Sequence, residues 1–346
     1  MPSSITRTRA ISPRTDSPAL ALTLGEPAGI GPEITAAAWQ ALRGQRDCAF
    51  FLIGDAELLR ARNPALPVRE IASASLAASV FADALPVLPH RLAAPSLPGK
   101  LEAANAPSVI TSIDKGVELV LAGEASGLVT NPIQKETLYQ AGFRHQGHTD
   151  YLAHLAQHAG HKAEPVMMLV APGLRTVPVT VHIALKAVPG ALSADLIIRQ
   201  AVATAEGLSR WFDIARPRIG ITGLNPHAGE NGTMGDEEIT IIAPAIAELR
   251  ARGLDVVGPL SADTLFHEEA RAGFDVILCM YHDQALIPVK TIGFHEGVNC
   301  TLGLPFIRTS PDHGTALSLA GTGSANPLSL ISAIRMAAGM VRNAVS

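Results

Sequence analysis

The chain is short of cysteine, aromatic residues and charge. Its 346 residues hold three cysteines, Cys48, Cys279 and Cys300, odd in number and widely spaced. That excludes a disulfide framework or a Cys-x-x-Cys metal site as the main device. Charged residues are 17% of the chain and the net charge is −4, so there is no basic excess to draw in a nucleic acid. No apolar run approaches the roughly 18 residues of a membrane span, so no membrane partner is expected. The apolar run at 19–24 is too short for a secretory signal and ends in a Gly/Pro loop, which leaves the cytoplasm as the expected compartment. The Ser/Thr/Arg-rich start mimics a transit peptide, and residues 1–18 read as a disordered tail.

What is abundant is apolar surface, turn residues and histidine. Hydrophobic residues are 47%, enough for a sizeable core, with 30 glycines, 25 prolines and 12 histidines. The length suggests about two domains or one large α/β unit. Strand, turn-rich loop and helix alternate along the chain. Strands are predicted at 19–24, 49–53, 84–88, 127–130, 218–222, 276–280 and 299–302, and helices at about 32–42, 108–121, 193–212, 237–252 and 328–341. Two β-rich runs, 166–170 and 176–181, flank Ala171-Pro172-Gly173, a hairpin signal that predicts an antiparallel element.

Chemistry gathers in a few places. Gly25-Glu26-Pro27-Ala28-Gly29-Ile30-Gly31 follows a strand and precedes a helix, where a phosphate can sit on helix N–H groups, but it is neither G-x-G-x-x-G nor a P-loop. A structural turn explains it equally well. His182, His227 and His282 each follow a β-rich run, and ligands collect beyond the carboxyl ends of strands. Three neutral imidazoles suit a divalent transition metal, with Asp263 and Asp283 as carboxylates to orient imidazole or substrate. Three unrelated capping or packing histidines account for the same pattern. His148 and Thr149 begin a helical segment; Thr149 is a candidate cap, and the pair a candidate anion site. Lys290, Asn299 and Arg308, in a turn-rich stretch, are the cationic and amide donors that a phosphate or carboxylate needs, or ordinary surface residues. Asp312-His313-Gly314-Thr315-Ala316 and the turn ending at Asn326 are small enough to let backbone approach a ligand.

These strings, with Gly223-Leu224-Asn225-Pro226-His227-Ala228-Gly229-Glu230, Met280-Tyr281-His282-Asp283-Gln284 and residues 302–310, resemble the 4-hydroxythreonine-4-phosphate dehydrogenase family over about residues 19–343. The resemblance implies an α/β fold of two lobes, similar to the isocitrate and isopropylmalate dehydrogenases, with mixed sheets and the active site in the cleft between lobes. It implies lobes of 1–145 plus 311–346 and of 146–310, and a homodimer with the site at its interface. His182, His227 and His282 would be metal ligands, one coming from the other subunit. The metal would be zinc or cobalt, with magnesium unusual on imidazoles. His148, Thr149, Lys290, Asn299 and Arg308 would bind substrate, with Lys290 also a candidate acid or base. Asp312, His313, Gly314, Thr315, Ala316 and Asn326 would hold NAD or NADP. Thr130 to Lys135 resembles a family segment and receives no role.

The implied reaction is oxidation of 4-phosphooxy-L-threonine at C3, then decarboxylation to 3-amino-2-oxopropyl phosphate, a step toward pyridoxal 5'-phosphate (vitamin B6). A sister enzyme acting on D-threonate or D-erythronate 4-phosphate would share all these motifs. A metal-dependent phosphohydrolase and a non-catalytic phosphate-binding module fit less well, the first because of the 312–326 loops and the second because of the three histidines.

Overall fold

A computed structural model describes residues 18–345, so the start read as a disordered tail lies, apart from Pro18, outside the described residues. Twelve strands are described: β1 (Leu20–Thr23), β2 (Phe50–Gly54), β3 (Val68–Glu70), β4 (Leu85–Pro89), β5 (Leu128–Thr130), β6 (Val166–Ala171), β7 (Leu174–Thr180), β8 (Arg218–Thr222), β9 (Asp255–Leu260), β10 (Val276–Tyr281), β11 (Val298–Leu302) and β12 (Arg308–Pro311). They join in one mixed sheet ordered β3-β4-β2-β1-β5-β12-β11-β6-β7-β10-β8-β9. The pairings from β3 to β12 and from β7 to β9 are parallel. The three in the middle, β12–β11, β11–β6 and β6–β7, are antiparallel. The predicted hairpin is therefore one part of a longer antiparallel seam between two parallel wings.

The wings read as continuous apolar runs because helices cover both faces of a parallel sheet. Every residue of β1 and β2 is buried. One hydrophobic cluster runs from Ala19 to Met340 through both wings, and a smaller one packs the His282–Gly293 helix on β6, β7 and β10. The C-terminal helix Leu328–Val345 lies on β12 and touches both the Gly31–Leu42 helix and the Ala194–Phe212 helix, tying the wings together.

Most predicted elements form close to where the pattern put them. Pro32 sits in the first turn of Gly31–Leu42, and the Ser193 side chain caps Ala194–Phe212 by accepting from the Leu196 N–H. The segment expected as one helix over 237–252 opens with a π turn, Glu238–Ile242, before the α-helix Ala243–Ala251. The strand predicted at 299–302 forms as β11, and the rest of the stretch expected as turn-rich is more ordered than its Gly and Pro suggested. Lys290 lies on the helix His282–Gly293, Asn299 on β11 and Arg308 on β12, a four-residue strand too polar and too close to Pro305 and Pro311 to signal itself.

The loop before the first helix is a buttress. Gly25 has φ +70°, and a Cβ there would lie 2.6 Å from Asn131 Cβ and 2.7 Å from Pro132 O. The Glu26 N–H donates to Pro132 O and the Ile30 N–H to Thr315 O. Gly25→Ala is expected to lower unfolding stability by about 2 kcal/mol, from left-handed strain and the clash. Equilibrium denaturation checks this, and an unchanged midpoint would contradict it.

Candidate active site

A cavity of about 610 Å³ lies over the antiparallel seam. Its floor comes from β6, β11 and β12, through Met167, Asn299, Arg308 and Ser310. Its walls are the chain after β5 (Thr130 to Lys135), the start of the His148–His158 helix, the ends of β7 and β10 with His182 and His282, and Asp312, His313 and Gly314 after β12. The loop at 25–31 does not line it. That loop holds up the 131–132 and 315 segments from behind, which supports the structural turn over the phosphate loop.

Arg308 dominates the floor. It is 2% exposed, donates from Nη1 to Thr301 Oγ1 (2.9 Å) and from Nη2 to Thr130 Oγ1 (2.7 Å), and its Nε has no partner. The strand register explains this: Arg308 aligns with Leu128, and Thr130 projects from the same face two residues on. Burial strips water from the guanidinium and pushes its pKa down to about 10, which still leaves it charged at neutral pH. Among the described residues no carboxylate pairs with it. Apart from Asp312 Oδ2, which meets the Lys290 ammonium, four more buried polar atoms of cavity residues lack partners: Asn131 Oδ1, His148 Nε2, Asn299 Oδ1 and His313 Nε2. Such atoms are rare in a folded interior and mark the place of a missing polar partner.

The His148–His158 helix has Gly147 at its cap, two residues before the Thr149 cap expected for the 151–158 segment, and no side chain caps it. Thr149 is therefore not the cap: it lies inside the first turn and lines the cavity beside His148. His148 is half-buried as a residue, yet its Nε2 is sealed. Burial first, then the charges of Arg308 and Lys135, hold its imidazole well below the usual range. His182 is lowered likewise by burial, Lys135 and His282. Both rings are neutral at pH 7, as a ligand imidazole must be.

The three histidines do not converge in one chain. His182 and His282 face each other with ring centroids 5.5 Å apart. His227 does not line the cavity, its side chain is 55% exposed, and its Nδ1 lies 3.6 Å from Asp263 Oδ2. Among the described residues no group of three or more His, Cys, Asp or Glu side chains could hold a metal. The two carboxylates do sit at imidazoles: Asp283 Oδ1 is 2.7 Å from His282 Nδ1, and Asp263 faces His227 while the Ser261 hydroxyl, donating to it, holds it below the usual carboxylate range. A carboxylate on Nδ1 leaves Nε2 free as a ligand.

His182 has φ +52°, and His227 to Asn231 all have φ between +41° and +78°. Left-handed backbone at non-glycine residues is costly, and it clusters where a site needs it. Glu238, 3% exposed, holds the His227 loop: its carboxylate accepts from the N–H groups of Leu224 (2.7 Å) and Asn225 (2.8 Å) and from the Asn225 amide (3.0 Å). Gln284 ties the other histidine helix down, accepting from Met280 N–H and the Thr222 hydroxyl and donating to Gly223 O.

The remaining residues divide. Lys290 Nζ is 2.7 Å from Asp312 Oδ2 and donates to Asp312 O (2.6 Å), so it backs the cavity wall instead of lining it. Thr315 meets the 25–31 loop and Gln134, Ala316 packs on the hydrophobic core, and Asn326 accepts from the Leu328 N–H at the start of the last helix. Lys135, given no role from the sequence, lines the cavity; its one sequence signal is a lysine opening a helix right after a strand and Asn-Pro turn.

Fold and cavity together define an α/β protein with a cavity that gathers a buried guanidinium and two paired imidazoles. A family model described as pyridoxal phosphate biosynthetic protein PdxA matches residues 46–337, and the chain belongs to that family. A protein from Bradyrhizobium diazoefficiens named 4-hydroxythreonine-4-phosphate dehydrogenase is 52% identical over 332 residues, covering 93% of this chain and 96% of the relative. One of the same name from Caulobacter vibrioides is 52% identical over 321 residues, covering 92% and 96%. A crystal structure of 4-hydroxythreonine-4-phosphate dehydrogenase from Klebsiella pneumoniae superimposes with a TM-score of 0.83 at 37% identity, covering 94% of this chain and all of that one. The relatives are oxidoreductases by name.

Burial raises the Glu238 carboxyl, but the N–H and amide donors of Asn225 and the Leu224 N–H outweigh it, leaving the group below its ordinary 4.5. The unfolded chain then binds the proton more readily, so stability rises with pH across that window. Glu238→Gln should be less stable by about 1–3 kcal/mol at pH 7, with the gap closing as pH falls below 4.5. Denaturation at several pH values would refute this if the gap stayed constant.

Proposed function

We propose that the chain oxidises 4-phosphooxy-L-threonine at C3 with NAD or NADP and releases CO2, giving 3-amino-2-oxopropyl phosphate for pyridoxal 5'-phosphate synthesis. The observation that carries this reading is the buried, acid-free Arg308 beneath the His182–His282 pair, in a chain half identical to dehydrogenases of that name. Arg308 with Thr149 and the free first turn of the His148–His158 helix receives the phosphate, and Asn299 and His148 orient the rest of the substrate. Asp312, His313 and Gly314 form the wall against which the nicotinamide cofactor lies, with Thr315, Ala316 and Asn326 holding that loop. The sealed His313 Nε2 and the open space around Gly314 suit a cofactor there.

The donor set suits a borderline divalent ion such as zinc or cobalt better than magnesium: neutral imidazoles, each of His282 and His227 backed by a carboxylate. Within one chain that set is two imidazoles. The third is His227 of a second copy, and apolar side chains exposed close to His182 and His282 along the chain, Val181 (36%), Ile183 (44%), Leu185 (68%) and Ile287 (63%), supply a surface for that copy to cover. When bound, the metal would polarise the C3 oxygen, and the nicotinamide would take the C3 hydride. Oxidation leaves a β-keto acid whose carboxylate departs as CO2, its electron pair passing toward the C3 carbonyl, and C2 then takes up a proton. Lys290, an ammonium paired with Asp312 at the cavity wall, is the candidate to move that proton. The lobes would be 1–145 plus 311–346 and 146–310, meeting at the β5–β12 pairing. Among the described residues no helix is long and apolar enough to cross a membrane, and the proposed setting is the cytoplasm.

With 4-phosphooxy-L-threonine and NAD or NADP, the purified protein should generate reduced nicotinamide. Activity confined to D-threonate or D-erythronate 4-phosphate would overturn the substrate assignment. His182→Ala and His227→Ala should each be inactive, and an equimolar mixture of the two, reassorted at random, should recover about a quarter of the activity, since about half the dimers are mixed and each of those has one of its two sites intact. No recovery would place the three histidines in one chain.

A further inference from the structure

The charge balance of the cavity leaves the phosphate one cation short. A phosphate monoester carries about −1.5 to −2 at neutral pH. Arg308 supplies one buried positive charge to the floor. Lys290, the other cation expected for this role, is spent on Asp312, which its ammonium meets at both the carboxylate and the carbonyl. The two acids on the cavity wall are likewise engaged, Asp312 with Lys290 and Asp150 with His145.

The cavity has one more cation. Lys135 opens the short helix Lys135–Gln140 and makes no ion pair among the described residues. Its Nζ lies 3.9 Å from where a Cβ on Gly147 would stand, so the ammonium sits over the start of the 11-residue His148–His158 helix. Glycine at 147 leaves that space open. The helix's first N–H groups carry no cap, and the sealed Nε2 of His148 and Nε of Arg308 point to a missing polar partner close by.

We infer that Lys135 is a phosphate-binding residue of this cavity, completing with Arg308 and the Gly147–Thr149 turn the charge that a phosphate dianion requires. Lys290 is thereby released from phosphate binding. The inference rests on the proposed substrate only for the phosphate being part of a larger molecule; the anion site itself needs no turnover.

The test is binding of inorganic phosphate to the intact protein by titration calorimetry, comparing the parent with Lys135→Met and Lys135→Arg. Lys135 is exposed, so both variants should fold, whereas changes at buried Arg308 risk the fold. Lys135→Met should weaken phosphate binding about tenfold or more, and Lys135→Arg should keep most of it. In turnover, Lys135→Met should raise KM for the phosphorylated substrate more than it lowers kcat. Parent-like phosphate affinity in Lys135→Met, or no phosphate binding by the parent, would overturn the inference. A parent that binds phosphate through Lys135 yet reduces no nicotinamide with 4-phosphooxy-L-threonine would instead sink the proposed function and leave this site standing.

Discussion

A guanidinium buried without an acid organises this molecule. Arg308 projects from a strand in the middle of the sheet, held by two threonine hydroxyls, with one nitrogen unpartnered. Removing a charge from water without a counter-charge is expensive, and a fold keeps such a group where an anion will complete it. Its position depends on both neighbouring strands, β5 through Thr130 and β11 through Thr301, so the antiparallel seam between the two parallel wings is also what builds the floor of the cavity.

The rest of the site can be read as support for that floor. The 25–31 loop packs behind Asn131, Pro132 and Thr315 and so fixes two walls at once. Gln284 and Glu238 work in the same way for the histidines, each tying backbone N–H groups or carbonyls near the ends of β8 and β10. Glu238 thereby braces the left-handed loop that begins at His227, while the strained His182 follows directly on β7. These partly buried hydrogen bonds fix the loop that carries His227 and the start of the helix that carries His282.

Much of the architecture was legible in advance because its signals are local. Apolar runs bounded by glycine and proline marked β1, β2, β8 and β10, Ser193 marked its helix, and Ala171-Pro172-Gly173 marked the hairpin. The misses have a common cause. Strand β12 is Arg-Thr-Ser-Pro, and its burial comes from neighbours distant in the chain, not from its own composition. Thr149 looked like a cap because threonine favours caps, but Gly147 already begins the helix. Lys135 lies in a segment that received no role from the sequence, and its place in the cavity over Gly147 is what singles it out.

The sequence by itself determined most of the element order, though not β3, β9 and β12, together with the family and the residue types of the site, since periodicity, turn chemistry and long unusual strings are properties of neighbours along the chain. Tertiary structure alone decided which of those residues share a cavity. It joined His182 to His282 and left His227 facing Asp263, it bound Lys290 to Asp312 and left Lys135 free, and it turned Arg308 inward. Each of these outcomes depends on strand order and register between segments far apart in sequence, and a sheet whose two wings meet through an antiparallel seam sets that register only when the whole chain has folded.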